Sequence, residues 1–444
     1  MAIRWLKYMS FFALISCTLA GNAQQEQTHI KQWSLKECLA YAQQHNITLN
    51  NLRLAKQSAD QNLISAKASV LPDLNASASQ NATHYGTAWG DTGKSINLNG
   101  SAGLNSSVTL FNGGTLRADI RQSQLATEMA DLDVSEAGND LYLQIIQAYT
   151  NIMLDKETIV YAQDLVQTSQ AQTEQMDQQY KAGAAAKKDL IQLQAQLASD
   201  QYTLTSAKNA ERQDKITLKQ LLQLPVDSAF DIVKADTTFA LAAIPSLHEV
   251  IQDAINKRPE IKNSLLNIEN SKLDLKKAKA GYLPVISLNG GIGTNYNNGT
   301  NIGTFRQFDN NFYQQIGITA TIPLFSRKVN QTNVAKSNIA IKQAELDLLN
   351  TKTILSQTVE KAYINTQNAY SQYDASAEQL NYNKEAYRIA GEELRVGSAN
   401  TVEYIQQKNL YIQALQAYTQ AKYSAMLSLN VFNFYKGDFL ENQQ

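Results

Sequence analysis

Proline, cysteine and net charge are all in short supply in this chain. Six prolines among 444 residues leave long stretches with nothing to interrupt a helix. The two cysteines are Cys17 and Cys38, and removal of the N-terminal leader described below would leave Cys38 alone, with no intrachain disulfide and no cysteine metal cluster. A formal net charge of -1 supplies neither the basic footprint of a nucleic-acid binder nor an acidic tail, so no nucleic-acid partner is expected. Beyond the leader no run of about twenty apolar residues occurs, which excludes a transmembrane helix; a membrane would have to be met by strands. The four histidines, His29, His45, His84 and His248, share no local spacing that would make a metal site or catalytic dyad, and no nucleophile stands beside a base. Gly290-Gly291-Ile292-Gly293 falls in a predicted strand with no helix after it, so it is not read as a phosphate loop. Neither an enzyme nor a cofactor is indicated.

What is present begins with Arg4 and Lys7, an apolar stretch from Tyr8 to Ala20, and Gly21-Asn22-Ala23 before Gln24. This is the pattern of a secretory signal peptide over residues 1–23. Leu14-Ile15-Ser16-Cys17 also fits a lipoprotein cleavage box, which would make Cys17 a lipidated first residue.

The dominant element is the run from Asn112 to Lys181, free of proline and carrying a single glycine, Gly138, between Gly114 and Gly183. As one helix of roughly 70 residues it reaches on the order of 100 Å, too long for a compact core. Leu141, Ile145, Ala148, Ile152, Ile159, Ala162 and Val166 recur at coiled-coil steps, with Asp155 as the break. Lys328 to Arg395 repeats the element, with Leu355, Val359, Ala362, Ala369 and Leu380 on its seam. Shorter helices are expected from Ser34 to Ser69, opened by a Ser34–Glu37 capping box, from Lys187 to Leu222, and from Ser246 to Tyr282. The last two sum to about the length of one long helix, and are expected to stack end to end beside it. Residues 226–245 form a mixed, β-prone linker containing Phe230, Ile232, Val233 and Phe239.

Between 73 and 111 the period falls to two. Ile96, Leu98, Ala102, Leu104, Val108 and Leu110 alternate with Asn97, Asn99, Ser101, Gly103, Asn105, Ser107 and Thr109. Leu74, Ala76, Ala78 and Ala82 give a partner strand, connected through Gly86 to Gly93. A second hairpin spans 285–325, with Phe312, Ile316, Ile318, Ala320, Ile322 and Leu324 opposite Gln315, Gly317, Thr319 and Thr321. Tyr85, Trp89, Tyr282, Phe312 and Tyr313 are candidates for an interfacial aromatic belt.

The chain is an internal duplication, 24–225 and 246–444. Ser34-Leu35 matches Ser246-Leu247, Ala66-Lys67 matches Ala278-Lys279, and Leu71-Pro72 matches Leu283-Pro284 at one constant separation. Past the hairpins, with the register moved by two, Leu110-Phe111 matches Leu324-Phe325, Ala148-Tyr149 matches Ala362-Tyr363, Gly183 matches Gly397, Asp189 matches Glu403, and Gln192 matches Gln406. Four strands with open edges cannot stand in lipid, because unpaired backbone groups have no partner there. Three copies would supply about twelve strands, an even number within the range of outer-membrane barrels.

With Tyr180-Lys-Ala-Gly183-Ala-Ala-Ala-Lys-Lys-Asp189-Leu, Leu394-Arg-Val-Gly397-Ser-Ala-Asn-Thr-Val-Glu403-Tyr and the leads Ala66 to Pro72 and Ala278 to Pro284, the chain resembles the TolC family of outer-membrane efflux and secretion channels. The resemblance implies a mainly α fold with a membrane β-barrel portion: a homotrimer whose shared 12-stranded barrel, embedded in outer-membrane lipid, continues into a coiled-coil tunnel across the periplasm. It implies periplasmic tips at Tyr180, Gly183, Asp189, Arg395, Gly397 and Thr401 that dock a periplasmic adaptor protein, and through it an inner-membrane pump of RND, ABC or MFS type. Glu403 and Gln406 would lie at the periplasmic aperture. The sequence departs from the family where Ala186 and Asn400 replace the usual serine or threonine three residues after each tip glycine, and where Gln406 replaces a second carboxylate. Gly183 and Gly397 also fit plain helix C-caps, and Asp189 and Glu403 fit first-turn carboxylates that complement a helix dipole. A porin-like channel without a pump and a trimeric coiled-coil stalk are the alternative functions; the first needs no tip motifs, and the second leaves the hairpins unexplained.

Overall fold

The computed structural model describes residues 32–84, 96–234, 245–299 and 302–437. The leader with Cys17, His29, the first hairpin's connection with Tyr85 and Trp89, Phe239 in the linker, and the last residues of the chain lie outside the described residues.

Each half of the chain has the same plan. In the first, α1 (Leu35–His45) and α2 (Ile47–Ala68) lead into strands β2 (Asn75–His84) and β3 (Ile96–Phe111), followed by the long helix α3 (Thr115–Lys181) and then α4 (Lys187–Leu222). In the second, α5 (Leu247–Lys257) and α6 (Pro259–Ala280) lead into β5 (Val285–Asn297), the short helix α7 (Thr304–Asn310) and β6 (Tyr313–Thr321), followed by α8 (Val329–Val396) and α9 (Thr401–Lys436). The long helices have 67 and 68 residues, and α4 and α9 have 36 each. Two short strands, β1 (Gln32–Trp33) and β4 (Asp231–Ile232), pair in parallel at the level where α1, α3 and α4 meet.

The sequence-based outline departs from this structure in four places, each with a local cause. The helix expected over Ser34–Ser69 is two helices. Its start is as expected, since Ser34 and Glu37 cap each other. At Asn46, however, the backbone turns extended, and the side chain caps twice: Oδ1 accepts from the Leu49 N–H at 3.2 Å, and Nδ2 donates to the Leu221 carbonyl, at the end of α4, at 3.1 Å. The helix expected over Ser246–Tyr282 breaks at the equivalent Arg258, which is forced out of helical geometry by Pro259 and lies over the Phe434 ring at 4.5 Å. The stacking is also different. Helix α4 meets α1, and α1, α2 and α4 together line α3; α9 meets α5, and α5, α6 and α9 line α8. Each long helix is thus companioned mainly from its own repeat. Finally, α7 interrupts the second hairpin, and β6 ends at Thr321, short of Ile322 and Leu324.

Both long helices start after two residues with positive φ. Gly113 (+69°) and Gly114 (+89°) in the first half are replaced by Arg327 (+48°) and Lys328 (+66°) in the second. Only the first site demands glycine for space as well as torsion, because a Cβ on Gly113 would stand 2.8 Å from the Ala280 Cβ.

Most of the seam residues expected from the spacing form the core, while Ile159, Val166 and Leu380 are only half-buried. Leu141, Ile145, Ala148 and Ile152 are buried with Leu218 and Tyr423 around the β1–β4 pair, and Leu355 and Val359 are buried with Val250, Ala254, Ile261 and Phe432 in the second half. A third cluster, Met176, Leu190, Leu193, Ala390 and Tyr404, lies close to the helical tips.

The four long strands form one antiparallel sheet in the order β2-β3-β5-β6, so β2 and β6 are its edges. Register places Ala78, Ala102 and Thr294 in one cross-strand row and Ser79, Ser101 and Asn295 in the next, on the opposite face. One face carries Ala76, Ala102, Leu104, Ile292, Ile316 and Ile318; the other carries asparagine, serine, threonine and glycine. Ile316 and Ile318 are 80% and 70% exposed in the single chain, an arrangement suited to lipid and unsuited to water. Ala102→Lys should therefore cost roughly 2–4 kcal/mol near the bilayer midplane and strongly reduce membrane-inserted protein, whereas Ser101→Lys, one residue away, should insert normally. Quantifying inserted protein in outer-membrane fractions checks the assignment of the two faces.

Candidate functional site

The ends of the two helical hairpins are built alike. After α3 the Ala184 N–H reaches the Gln179 carbonyl at 2.8 Å and the Gly183 N–H reaches Tyr180 at 2.9 Å; after α8 the Ser398 N–H reaches Glu393 at 2.9 Å and the Gly397 N–H reaches Leu394 at 3.2 Å. These are Schellman turns, and they place Gly183 and Gly397 in the left-handed region, at φ +78° and +80°. The C-cap role of both glycines is therefore real. Nothing stands within 4 Å of the position of a Cβ on either, so the demand for glycine at the tips is torsional alone.

The position three residues after each glycine is the N-cap of the next helix. Asn400 fills that role, its Oδ1 accepting from the Glu403 N–H at 2.9 Å, while Ala186 has no side-chain oxygen to do so. This accounts for a preference for serine or threonine at that position as a capping preference. Asp189 and Glu403 lie in the first turns of α4 and α9, where a carboxylate complements the helix dipole. Tyr180, Arg395, Glu403 and Gln406 are exposed, and Arg395 pairs with Glu392 at 2.9 Å. Thr401 has to be removed from the docking surface: it is 3% exposed and packs inside the turn.

Above the tips lies a cluster that the sequence reading missed. Lys408 on α9 is fully buried, and its Nζ donates to Asp200 Oδ2 on α4 at 2.7 Å and to Ser169 Oγ on α3; the Ser169 hydroxyl in turn donates to the same carboxylate. Tyr404, one turn nearer the tip, shares a 2.7 Å hydrogen bond with Tyr387 and accepts one from Gln172. Further up, Lys422 and Tyr423 of α9 bind Glu157 of α3 at 3.1 and 2.6 Å. Burial works to raise the Glu157 pKa, but the bonds from Tyr423 and Lys422 outweigh it and hold the carboxyl below its usual range. The two repeats are therefore tied by polar contacts at these two levels, and again nearer the sheet where α3 runs past α6, through Arg121–Glu269, Lys277–Asp119 and Gln122–Asp274. A signal for the lower tie was available: Ser169, Asp200 and Lys408 each occupy a position in an apolar stripe, as with Thr401, Tyr404 and Lys408 or Leu190, Leu193 and Asp200.

Asp155, the break in the α3 seam, is a half-buried liability. Its Oδ2 is enclosed without a hydrogen-bond partner, and burial together with the nearby Asp214 and Glu211 carboxylates raises its pKa to about 7.

Comparison with known proteins decides the family. The family model for outer membrane efflux proteins matches residues 39–223 and 250–431, more than half of the chain. This chain belongs to the outer membrane efflux protein family. Among its relatives is the outer membrane protein TolC of Vibrio cholerae, 22% identical over 411 residues, covering 89% of each chain. The pyoverdine export outer membrane protein OpmQ of Pseudomonas putida is 22% identical over 314 residues; that match takes in 70% of this chain and 64% of OpmQ. The outer membrane channel CmeC of Campylobacter jejuni has the same fold, with a TM-score of 0.79 over 91% of this chain and 85% of that one at 21% identity. Membership places the protein in the outer membrane, in a family of transport channels.

Two outcomes follow for the buried groups. Lys408→Met alone strands Asp200 in the interior and should cost about 3–5 kcal/mol, while Lys408→Met with Asp200→Leu should recover most of the loss, as read by thermal unfolding of the purified protein. Asp155 is protonated more readily in the folded than in the unfolded chain, so between its unfolded value near 4 and its folded value of about 7 it subtracts progressively more stability as pH rises. Asp155→Asn should raise the melting temperature at pH 8 and leave it almost unchanged near pH 4.

Proposed function

We propose that this protein is the outer-membrane exit duct of a tripartite efflux or type I secretion system, exporting small molecules or proteins. It works as a homotrimer. Three four-stranded sheets join edge to edge into a 12-stranded barrel, and the helical hairpins of three chains form a periplasmic tunnel. The observation that carries this reading is continuity: a sheet with one apolar face, one polar face and two open edges runs directly into paired long helices ending in twin glycine turns. Exposed apolar side chains along α8, among them Leu346 and Leu349 at 65% and 61% exposure, are suited to cover by neighbouring copies.

The tips, through Tyr180, Gly183, Asp189, Arg395 and Gly397, dock a periplasmic adaptor, which connects the duct to an inner-membrane pump of RND, ABC or MFS type. A porin-like channel has no use for two matching tip turns, and a stalk has none for the sheet. Co-purification after in vivo crosslinking tests the reading: recovery of an adaptor and a pump component supports it, and recovery of the protein alone from actively exporting cells contradicts it.

Val at both Gly183 and Gly397 penalises the left-handed torsion by about 1–2 kcal/mol at each turn. Export should fall while the amount of protein in the outer membrane stays near normal; unchanged export would remove the docking role. Glu403, capped by Asn400 and exposed, is the carboxylate proposed for the aperture, with Gln406 one turn on contributing no charge. Threefold symmetry gives one ring of three carboxylates there, favouring cations. In planar bilayers under a salt gradient, Glu403→Gln should move the reversal potential toward zero, and an identical value would take Glu403 out of the conducting path.

A further inference from the structure

The strands β2, β3, β5 and β6 contain no Asp, Glu, Lys or Arg, and their one histidine, His84, ends β2 on the apolar face. On the polar face the cross-strand rows are neutral amides, hydroxyls and glycines: Asn75, Asn105, Gly291 and Gln315 in one, Asn81, Asn99 and Asn297 in another. Such a face lines a water-filled lumen without adding a fixed charge to it.

Among the described residues, one carboxylate borders that face at the end of the sheet nearest the helices. Asp73 stands two residues before β2, at the end of the sheet where α2 enters and α3 departs. Its backbone N–H continues the ladder by donating to the Ser107 carbonyl at 3.0 Å. Its Oδ1 accepts from the Ser107 N–H at 2.5 Å and the Ser107 hydroxyl at 2.9 Å, and its Oδ2 accepts from the Asn75 amide at 3.0 Å. Asn75 and Ser107 are polar-face residues, so the carboxylate is pinned to the polar face and remains open to water. Hydrogen bonds that go to the charged form favour it.

We propose that Asp73 is a charge-selecting residue of the membrane pore: three copies form a ring of carboxylates at the junction of barrel and tunnel, favouring hydrated and organic cations over small anions. This rests on the homotrimeric duct reading above. No other fixed charge lies along the strands, and mobile ions screen the ring's potential over about 8 Å at physiological ionic strength. The nearest basic side chains in the chain after the sheet, Arg327 and Lys328, lie beyond β6 in the turn that opens α8. The proposed duct then has charge filters at two ends, Glu403 at the tips and Asp73 at the base of the barrel.

The test is the cation-to-anion permeability ratio of purified protein in planar bilayers under a potassium chloride gradient, for wild type, Asp73→Asn, Asp73→Ser, Glu403→Gln and the Asp73→Asn/Glu403→Gln pair. Asn keeps an acceptor for Ser107, and Ser removes most of the side chain, so one variant preserves the local bonds if the other disturbs them. The expected result is at least a twofold fall in the ratio for either Asp73 variant, and a further fall in the pair. An unchanged ratio in conducting Asp73 variants, as pairing with Arg327 or Lys328 of a neighbouring copy would produce, overturns the inference and leaves the duct intact. So does a ratio that drops to one in Glu403→Gln alone. Absence of any conductance from wild-type protein instead overturns the duct reading, and this proposal with it.

Discussion

The backbone polar groups at the edges of the sheet constrain everything else. Strands β2 and β6 each have a neighbour on one side only, and in hydrocarbon each unpaired N–H or C=O costs several kcal/mol, since no water is present to take its place. A ten-residue edge such as Asn75–His84 therefore carries a penalty larger than the whole stability of an ordinary domain. No side-chain interaction within one chain offsets it. Edge pairing with further copies would, and in the proposed trimer the closing of a ring of such sheets turns a four-stranded sheet with a wet face and a greasy face into a pore. In that proposed assembly the long helices, each leaving the sheet through a fixed turn, would run alongside those of the other copies.

The duplication allows the same geometry to be compared in two sequences. Asn46 and Arg258 both break their helices, one by capping two helix ends with a single amide, the other through the proline that follows it and by lying over an aromatic ring. The left-handed pair that starts each long helix is Gly113-Gly114 in one half and Arg327-Lys328 in the other; the left-handed residue closing α4 is Gln223, and the one closing α9 is Gly437. The tolerance for non-glycine residues there shows that the surrounding packing sets these torsions, at a strain of roughly 1–2 kcal/mol per residue. At Gly113 space is short as well, since a Cβ there would meet Ala280, so glycine is demanded twice over.

Features with a strong local period were legible in the sequence. The two long helices, the alternating faces of Ile96–Phe111, the Ser34–Glu37 box and the tip glycines all follow from spacing or from one residue's backbone preference. What was hidden depended on partners distant in the chain. Asn46 reads as a tolerable helix residue until the Leu221 carbonyl is beside it. Which short helices stack was assigned wrongly from length alone, since length does not distinguish α5 and α6 from α1 and α2. Lys408, Asp200 and Ser169 each looked like a lapse in an apolar stripe, and only the fold brings the three lapses together. The family resemblance put Thr401 on the tip surface, yet the side chain is buried at the start of α9.

The central claim is that the open edges of one chain are closed by two further copies and no more. Chemical crosslinking of the detergent-extracted protein measures this directly. The account predicts a ladder of one, two and three subunits that stops at three at every reagent concentration; a stable, folded monomer, or a ladder that continues past three, would contradict it.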